Sequence, residues 1–190
     1  MKKNLRGLAR ADDIQYIVCM SHTSKNTSTE GKPEPSDRLV NLFAALAQGV
    51  TDRVKGVIFE AFPSGGETAA AVVVIGHQPG MSIDQVSKIL RLSHAGAVRL
   101  IDRLIGQGLV VKTPSAGDRR MMHLHLTVAG DKEREKLLAL RNASVADLLK
   151  GVSVEDRELL ERLSESILSR LPCDALSALT TCRFCDEKKC

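Results

Sequence analysis

Residues 81 to 130 read MSIDQVSKILRLSHAGAVRLIDRLIGQGLVVKTPSAGDRRMMHLHLTVAG. Within them the spacing of the apolar residues changes from helical to alternating, and that change decides the fold. Ser82 to Leu90 opens with Ser-x-x-Gln (Ser82, Gln85), a capping box whose side chains satisfy free amides at a helix start. Ile83, Val86 and Leu90 share one side of that helix. Leu92-Ser93 turns the chain. Ser93 is a good N-cap for a second helix, in which Ala97, Leu100, Ile101, Leu104 and Ile105 recur at three-to-four spacing and face inward, with Arg99 and Arg103 on the opposite face. Gly108 stops this helix where a positive φ costs little. Leu109-Val110-Val111 then reads as a strand running into a turn at Pro114-Ser115-Ala116-Gly117. In a second strand Met122, Leu124 and Leu126 alternate with His123 and His125, whose shared face is expected to look toward solvent.

Two short helices followed by a hairpin with a basic tip make a winged helix-turn-helix. That geometry lays the second helix in a major groove, and the arginine-bearing hairpin can reach phosphates or the neighbouring minor groove. The residues resemble the MarR-type bacterial transcription regulators in five places: Leu92-Ser93, Arg99-Leu100-Ile101-Asp102-Arg103-Leu104, Gly108-Leu109-Val110, Asp118-Arg119-Arg120, and Leu126-Thr127-x-x-Gly130. The wing signature Asp-x-Arg, followed by Leu-Thr and Gly, is the most specific of these. The resemblance implies a mainly α fold with a small β wing, N- and C-terminal dimerisation helices, and a homodimer on double-stranded DNA with a palindromic operator. It also implies most often repression, relieved by a small phenolic or anionic effector held between the reading and dimerisation regions, or by oxidation. Gly96 and Val98 stand where family members often carry small hydroxyl residues, which moves base reading toward His94 and Arg99.

Taken alone, Arg99 and Arg103 read as a solvated helix face with intrahelical pairs such as Arg99 with Asp102; the surrounding motif favours DNA contact. Arginine suits the position because its planar fork can address guanine O6 and N7 together. Ser93 and His94, in the first turn, are placed to meet phosphate or base. Gly96 inside a helix costs roughly 1 kcal/mol relative to alanine, which suggests close backbone approach to DNA or to the first helix. In the wing, Asp118 can brace Arg120 toward the minor groove, and Arg119 reads as a phosphate contact.

Outside this unit, residues 1–36 form a weakly amphipathic start and then a Ser/Thr/Lys/Glu/Pro run expected to be a disordered tail. Translation could begin at Met1 or Met20, and Cys19 carries no assigned role. Residues 37–171 form the MarR-like domain, with 64–130 as its winged-helix region and 37–62 and 131–171 as dimerisation helices. Leu39, Phe43, Leu46, Val50, Val54 and Val57 make one stripe ended by Pro63. Ser64-x-x-Glu67 reads as a capping box for a helix apolar on every side over Ala69 to Ile75. A helix from Val128 to Leu149 follows the wing, and a last one from Val154 to Leu171 is capped by Ser153-x-x-Asp156 and stopped by Pro172. Long terminal helices need their apolar faces covered, which points to a dimer.

Residues 172–190 are a cysteine-rich tail with Cys173, Cys182, Cys185 and Cys190 in the arrangement Cys-x8-Cys-x2-Cys-x4-Cys. Three readings stand: four thiolates holding zinc or an iron–sulfur cluster, a thiol redox switch favoured by Arg183, Lys188 and Lys189, or an unstructured reduced tail. Some MarR-like proteins end in a similar tail, with no role that transfers.

The formal net charge of +4 on 190 residues is mild, so basic clustering at 99–103 and 119–120 fits a site-specific binder better than a general polyanion binder. With no Trp, one Tyr and four Phe the chain lacks the stacking platforms of single-strand or RNA binders. No stretch is apolar for long enough to span a bilayer, and no signal peptide is legible, so a cytoplasmic protein is expected. His22, His77, His94, His123 and His125 have no nucleophile or carboxylate at motif spacing, and no enzyme is expected. The sequence thus reads as a double-stranded DNA-binding transcription regulator, with a metal- or thiol-responsive protein-interaction module as the alternative.

Overall fold

A computed structural model describes residues 33–62, 65–114, 122–171 and 174–189. The expectations for residues 1–32, the wing tip at 115–121, and Cys19, Cys173 and Cys190 lie outside the described residues. The order is α1 (Asp37–Ala61), α2 (Gly66–His77), α3 (Ile83–Leu90), α4 (His94–Gly106), β1 (Val110–Pro114), β2 (Met122–Leu126), α5 (Val128–Leu149), α6 (Val154–Leu168) and α7 (Ala175–Thr181), then a 3-10 turn at Glu187–Lys189. This is the mainly α, winged-helix architecture that the sequence predicts.

The core forms around α2, because a helix without a polar face can only sit in the middle. Thr68 to Ile75 are all buried, as the unbroken apolar run predicts. Against Val72–Ile75 pack Ile58 of α1, Val86 and Ile89 of α3, Leu100, Ile101 and Leu104 of α4, Leu124 of β2 and Leu137 of α5. Each fully buried side chain of this size contributes about 1.5–3 kcal/mol relative to exposure. Two local expectations need correction. The N-cap of α2 is Gly65, at φ 103 and with no side-chain cap, rather than Ser64, which lies outside the described residues. A left-handed residue turns the chain sharply out of α1, and glycine takes that conformation without strain. On α3 the buried pair is Val86 and Ile89, with Ile83 and Leu90 only half-buried, so this short helix is rotated toward Ile89.

The capping box before the turn and the N-cap after it form as expected. Ser82 accepts from Gln85 N–H at 3.2 Å while Gln85 accepts from Ser82 N–H at 2.8 Å, and Ser93 accepts from Gly96 N–H at 3.1 Å. Between them Arg91 takes a left-handed conformation (φ 54), which lets Leu92 N–H reach back to Ser87 carbonyl at 2.9 Å. Gly108, at φ 70, closes α4, and β1 pairs antiparallel with β2 with Val110 opposite Leu126 and Pro114 opposite Met122. Pro114 is therefore the last strand residue rather than the first of the turn.

The sheet continues one step further than the sequence suggests. Gly80 N–H donates to Leu124 carbonyl at 2.8 Å and Leu124 N–H to Met81 carbonyl at 2.9 Å, bridging the α2–α3 connection to β2. This bridge corrects the solvent-facing expectation for His123 and His125. Both are half-buried against that connection, and His123 Nδ1 is hydrogen-bonded to the Gly80 carbonyl.

Thr127 joins wing to α5. Its hydroxyl donates to Gly108 carbonyl at 2.6 Å and accepts from Gly130 N–H at 3.0 Å, while its own N–H donates to Leu109 carbonyl at 3.0 Å. Helix α5 then runs back over α2 and along α1, where Arg53 Nε donates to the Ser144 carbonyl at 3.1 Å and the Arg53 guanidinium pairs with Asp147. Helix α6 ends at Leu168, earlier than expected, and none of its residues is buried. Among the described residues no single helix is long and apolar enough to cross a membrane. Within 174–189 the chain is not an unstructured tail: Ala178 and Leu179 of α7 are buried and Phe184 packs on the core.

Candidate nucleic-acid interface and adjoining cleft

Helix α4 buries Ala97, Leu100, Ile101 and Leu104 and turns Ser93, His94, Ala95 and Arg99 to solvent. The capped N-terminus thus stands free, with its amide dipoles and first-turn side chains facing outward. Among the described residues Arg99 makes no hydrogen bond or ion pair. The intrahelical Arg99–Asp102 pair does not form; Asp102 is taken by Lys112 of β1, with 2.8 Å between Nζ and the carboxylate. That ion pair joins recognition helix to wing and leaves the Arg99 guanidinium uncommitted. Arg103 is placed differently. Its Nη1 donates to Thr68 Oγ1 at 3.5 Å, so its guanidinium sits at the start of α2 rather than opposite the core. A recess of about 240 Å³ lies between α2 and α4, lined by Glu67, Thr68, Gly96, Arg99 and Arg103.

Gly96 is not crowded by α3. A Cβ there would stand 3.1 Å from Ser93 Oγ and 3.8 Å from Leu92 Cβ, so the close neighbour is the helix's own cap. Asp118, Arg119 and Arg120 lie outside the described residues.

A larger cleft, about 920 Å³, opens between α1, α3 and α7. Val54, Ile58, Phe59, Leu90 and Phe184 supply apolar walls, and Lys55, Arg91, Arg141 and Arg183 supply positive charge. Sequence reasoning put Val50 and Val54 on the dimerisation stripe and Arg183 and Cys185 in the cysteine-rich tail but did not bring them together as a cleft, because its walls come from helices distant in sequence. Cys185 borders it. Of the four tail cysteines only Cys182 and Cys185 are described, and among the described residues no group of three or more His, Cys, Asp or Glu side chains converges as a metal-binding set.

The turn carrying these cysteines is anchored to the core by an ionic cluster that the sequence did not signal. Glu187 pairs with the buried Arg134 of α5 and stands 3.2 Å from His77 Nε2, which is also 2.9 Å from the Cys185 carbonyl. Gly76 leaves the room that Arg134 needs. Burial holds His77 below its ordinary value of 6.5; Glu187, the Cys185 carbonyl and Asp186 oppose that shift and Arg134 reinforces it. The folded state therefore favours neutral imidazole, the unfolded chain binds more protons below pH 6.5, and this contribution to stability is present above pH 6.5 and lost on acidification. We expect the urea midpoint to fall between pH 7 and pH 5 and the His77→Gln variant to show a shallower fall. Equal slopes would remove His77 as the cause. The depressed carboxyls Asp84, Asp147 and Asp174 titrate below their ordinary 3.8, outside this window.

A model of the MarR family matches residues 66–121, from the start of α2 into the wing. The transcriptional repressor MprA of Escherichia coli K12 is 29% identical over 103 residues, which cover 53% of this chain and 58% of that protein. The chain thus matches little more than half the length of this curated relative. Among solved structures, RV1404 from Mycobacterium tuberculosis superimposes with a TM-score of 0.64 at 15% identity, covering 74% of this chain and 97% of that one. Streptococcus pneumoniae FabT, solved in complex with DNA, does so with a TM-score of 0.57 at 21% identity, covering 68% and 92%. At these identities the structures establish the fold alone.

Proposed function

The chain belongs to the MarR family through its winged-helix region, and from that premise we propose that it is a sequence-specific double-stranded DNA-binding transcription regulator, most simply a repressor. The observation that carries the reading is Arg99: an exposed guanidinium, without a partner among the described residues, one turn into a free-standing capped helix, on the face where a helix-turn-helix meets a major groove. MprA, a repressor, and FabT, solved with DNA, support the same reading.

The partner is a second copy of the chain. Leu39, Phe43 and Leu46 of α1 and Leu159, Leu163 and Leu168 of α6 are each at least 46% exposed. Two terminal helices with bare apolar faces are marginal in water until covered. A homodimer covers them and presents two α4 helices to a palindromic operator with half-sites about one turn apart. The α1–α3–α7 cleft, apolar with cationic groups at its edge, suits a small anionic aromatic effector, and because α1 and α3 both form it, occupancy would alter their relative placement.

Titrating the protein against duplex from its own upstream region, against a scrambled duplex, and at several salt concentrations tests this. We expect one dimer per palindrome by sedimentation and at least about a thousandfold preference over scrambled duplex. A folded dimer that binds neither duplex would favour the protein-interaction module instead.

A further inference from the structure

Among the described residues Arg134 of α5 is the only buried charged one. Gly76 of α2 leaves the room it occupies, and its carboxylate partner is Glu187, fifty-three positions on. A guanidinium taken out of water without a carboxylate is strongly destabilising, so the body of the domain is shaped to receive an element from the far end of the chain. Two more contacts fasten that element. His77 Nε2–H donates to the Cys185 carbonyl at 2.9 Å, and Arg141 Nη2 stands 4.0 Å from Cys185 Sγ. A hydrogen bond from Cys182 brings the Cys185 thiol down from about 9 to about 6, against burial and with help from Arg141 and Arg183. At neutral pH a largely ionised sulfur therefore faces Arg141.

The other end of the element lies on the reading unit. After α6, none of whose residues is buried, the chain returns at α7, buries Ala178 and Leu179 and packs on α3. Helix α3 has eight residues, too few to be stable without neighbours, and buries Val86, Ser87 and Ile89 alone. Residues 174–189 thus join α3 to α2 and α5, while the three residues Arg91 to Ser93 join α3 to α4.

We propose that residues 174–189 are a brace of the reading head: docked on α3 and latched to α5 by Glu187 on Arg134, they fix the tilt of α3 and through it the seat of α4 in the major groove. Glu187 and Arg134 are then positioning residues for a contact that neither makes. In a helix-turn-helix the first helix crosses the backbone while the second enters the groove, so across a three-residue turn a tilt of α3 carries α4 with it. A tilted α4 misplaces Arg99 against base edges, whereas phosphate contacts, which carry no sequence information, tolerate the shift. A loosened brace therefore weakens cognate binding in both half-sites and leaves non-specific binding nearly intact. This role rests on the DNA-binding reading above, and the docking itself does not.

Glu187→Gln in the full, reduced chain removes the charge of the latch and keeps its shape. Amide hydrogen exchange should show protection over α3 and α7 falling by at least about fivefold, with α2 little changed. Binding to the palindrome from the chain's own upstream region should weaken at least about tenfold, and binding to scrambled duplex by no more than about twofold. Leu179→Ala, at the α3 end of the brace, should give the same split. Arg134→Met combined with Glu187→Leu puts an apolar pair in place of the ionic one and should restore cognate binding to within about threefold, because a buried ion pair can be replaced by packed apolar side chains where the loss of one partner cannot be absorbed. A smaller folded fraction would lower both affinities by one factor, and that result overturns the brace, as does Glu187→Gln leaving the protection of α3 intact. Loosened α3 with undiminished cognate binding overturns the link from α3 to α4. If the parent binds neither duplex while Glu187→Gln still frees α3 and α7, the docking stands and the DNA-binding reading falls together with the positioning role.

Discussion

Replacing Arg99 with alanine should weaken binding to the chain's own palindrome by at least about thirtyfold, since a bidentate arginine–guanine pair is worth about 1–3 kcal/mol of base discrimination in each of two half-sites. The effect should be close to the full value of that interaction. Truncating a residue that is already paired also strands its partner, whereas Arg99 has no partner among the described residues, Asp102 being held by Lys112. The substitution should therefore leave stability nearly unchanged, which separates it from Arg103→Ala, which removes the hydrogen bond to Thr68 at the head of α2. Anisotropy titrations on cognate and scrambled duplex decide what Arg99 does. If it reads a base, the preference for cognate sequence falls while the salt dependence changes little. If it only meets phosphate, both affinities fall together and the salt slope drops by about 1 for each phosphate no longer neutralised. The second result would move base reading to His94.

The parts of the fold that were legible in the sequence are those fixed by local chemistry. The capping box at Ser82, the N-caps at Ser93 and Ser153 and the stop at Gly108 each depend on a side chain and an amide three residues away, or on one dihedral. The burial of α2 was legible because an all-apolar run has a single solution. What the sequence hid depends on distant partners. Arg134 reads as one charge among many on α5 until Gly76 is seen to make room for it and Glu187 to meet it. His77, on α2, joins that cluster only because the C-terminal turn folds back over it. Cys185 carried a spacing signal, but its thiolate character needs Arg141, forty-four positions away in the sequence. Arg99 and Arg103 look equivalent on a helical wheel and differ only through Thr68 and Lys112, which come from other elements.

Gly130→Ala should destabilise the fold by about 3 kcal/mol, at the upper end of what overpacking usually costs. The sequence offers glycine here inside α5, where alanine is ordinarily better by about 1 kcal/mol, so propensity predicts the opposite sign. Packing overrides it. A methyl group on Gly130 would overlap the Leu109 carbonyl oxygen and stand 3.3 Å from Leu126 Cβ. That carbonyl cannot retreat freely, because it accepts from Thr127 N–H at 3.0 Å and its neighbour Gly108 accepts from the Thr127 hydroxyl at 2.6 Å. Moving it opens the joint at which α4, the wing and α5 meet. The Leu-Thr-x-x-Gly pattern at Leu126, Thr127 and Gly130 is thus one device: the threonine caps α5 while tying down the end of α4, and the glycine lets the helix sit against the strand that leaves it. Gly106→Ala is the control, since nothing lies within 4 Å of a Cβ there, and it should be neutral or gain up to about 1 kcal/mol. In a thermal melt the first substitution should lower the midpoint by about 6–12 °C and the second should not lower it. If Gly130→Ala melts with or above the parent, the close approach of α5 to Leu109 is wrong, and with it the account of how the wing is held at a fixed angle to α4.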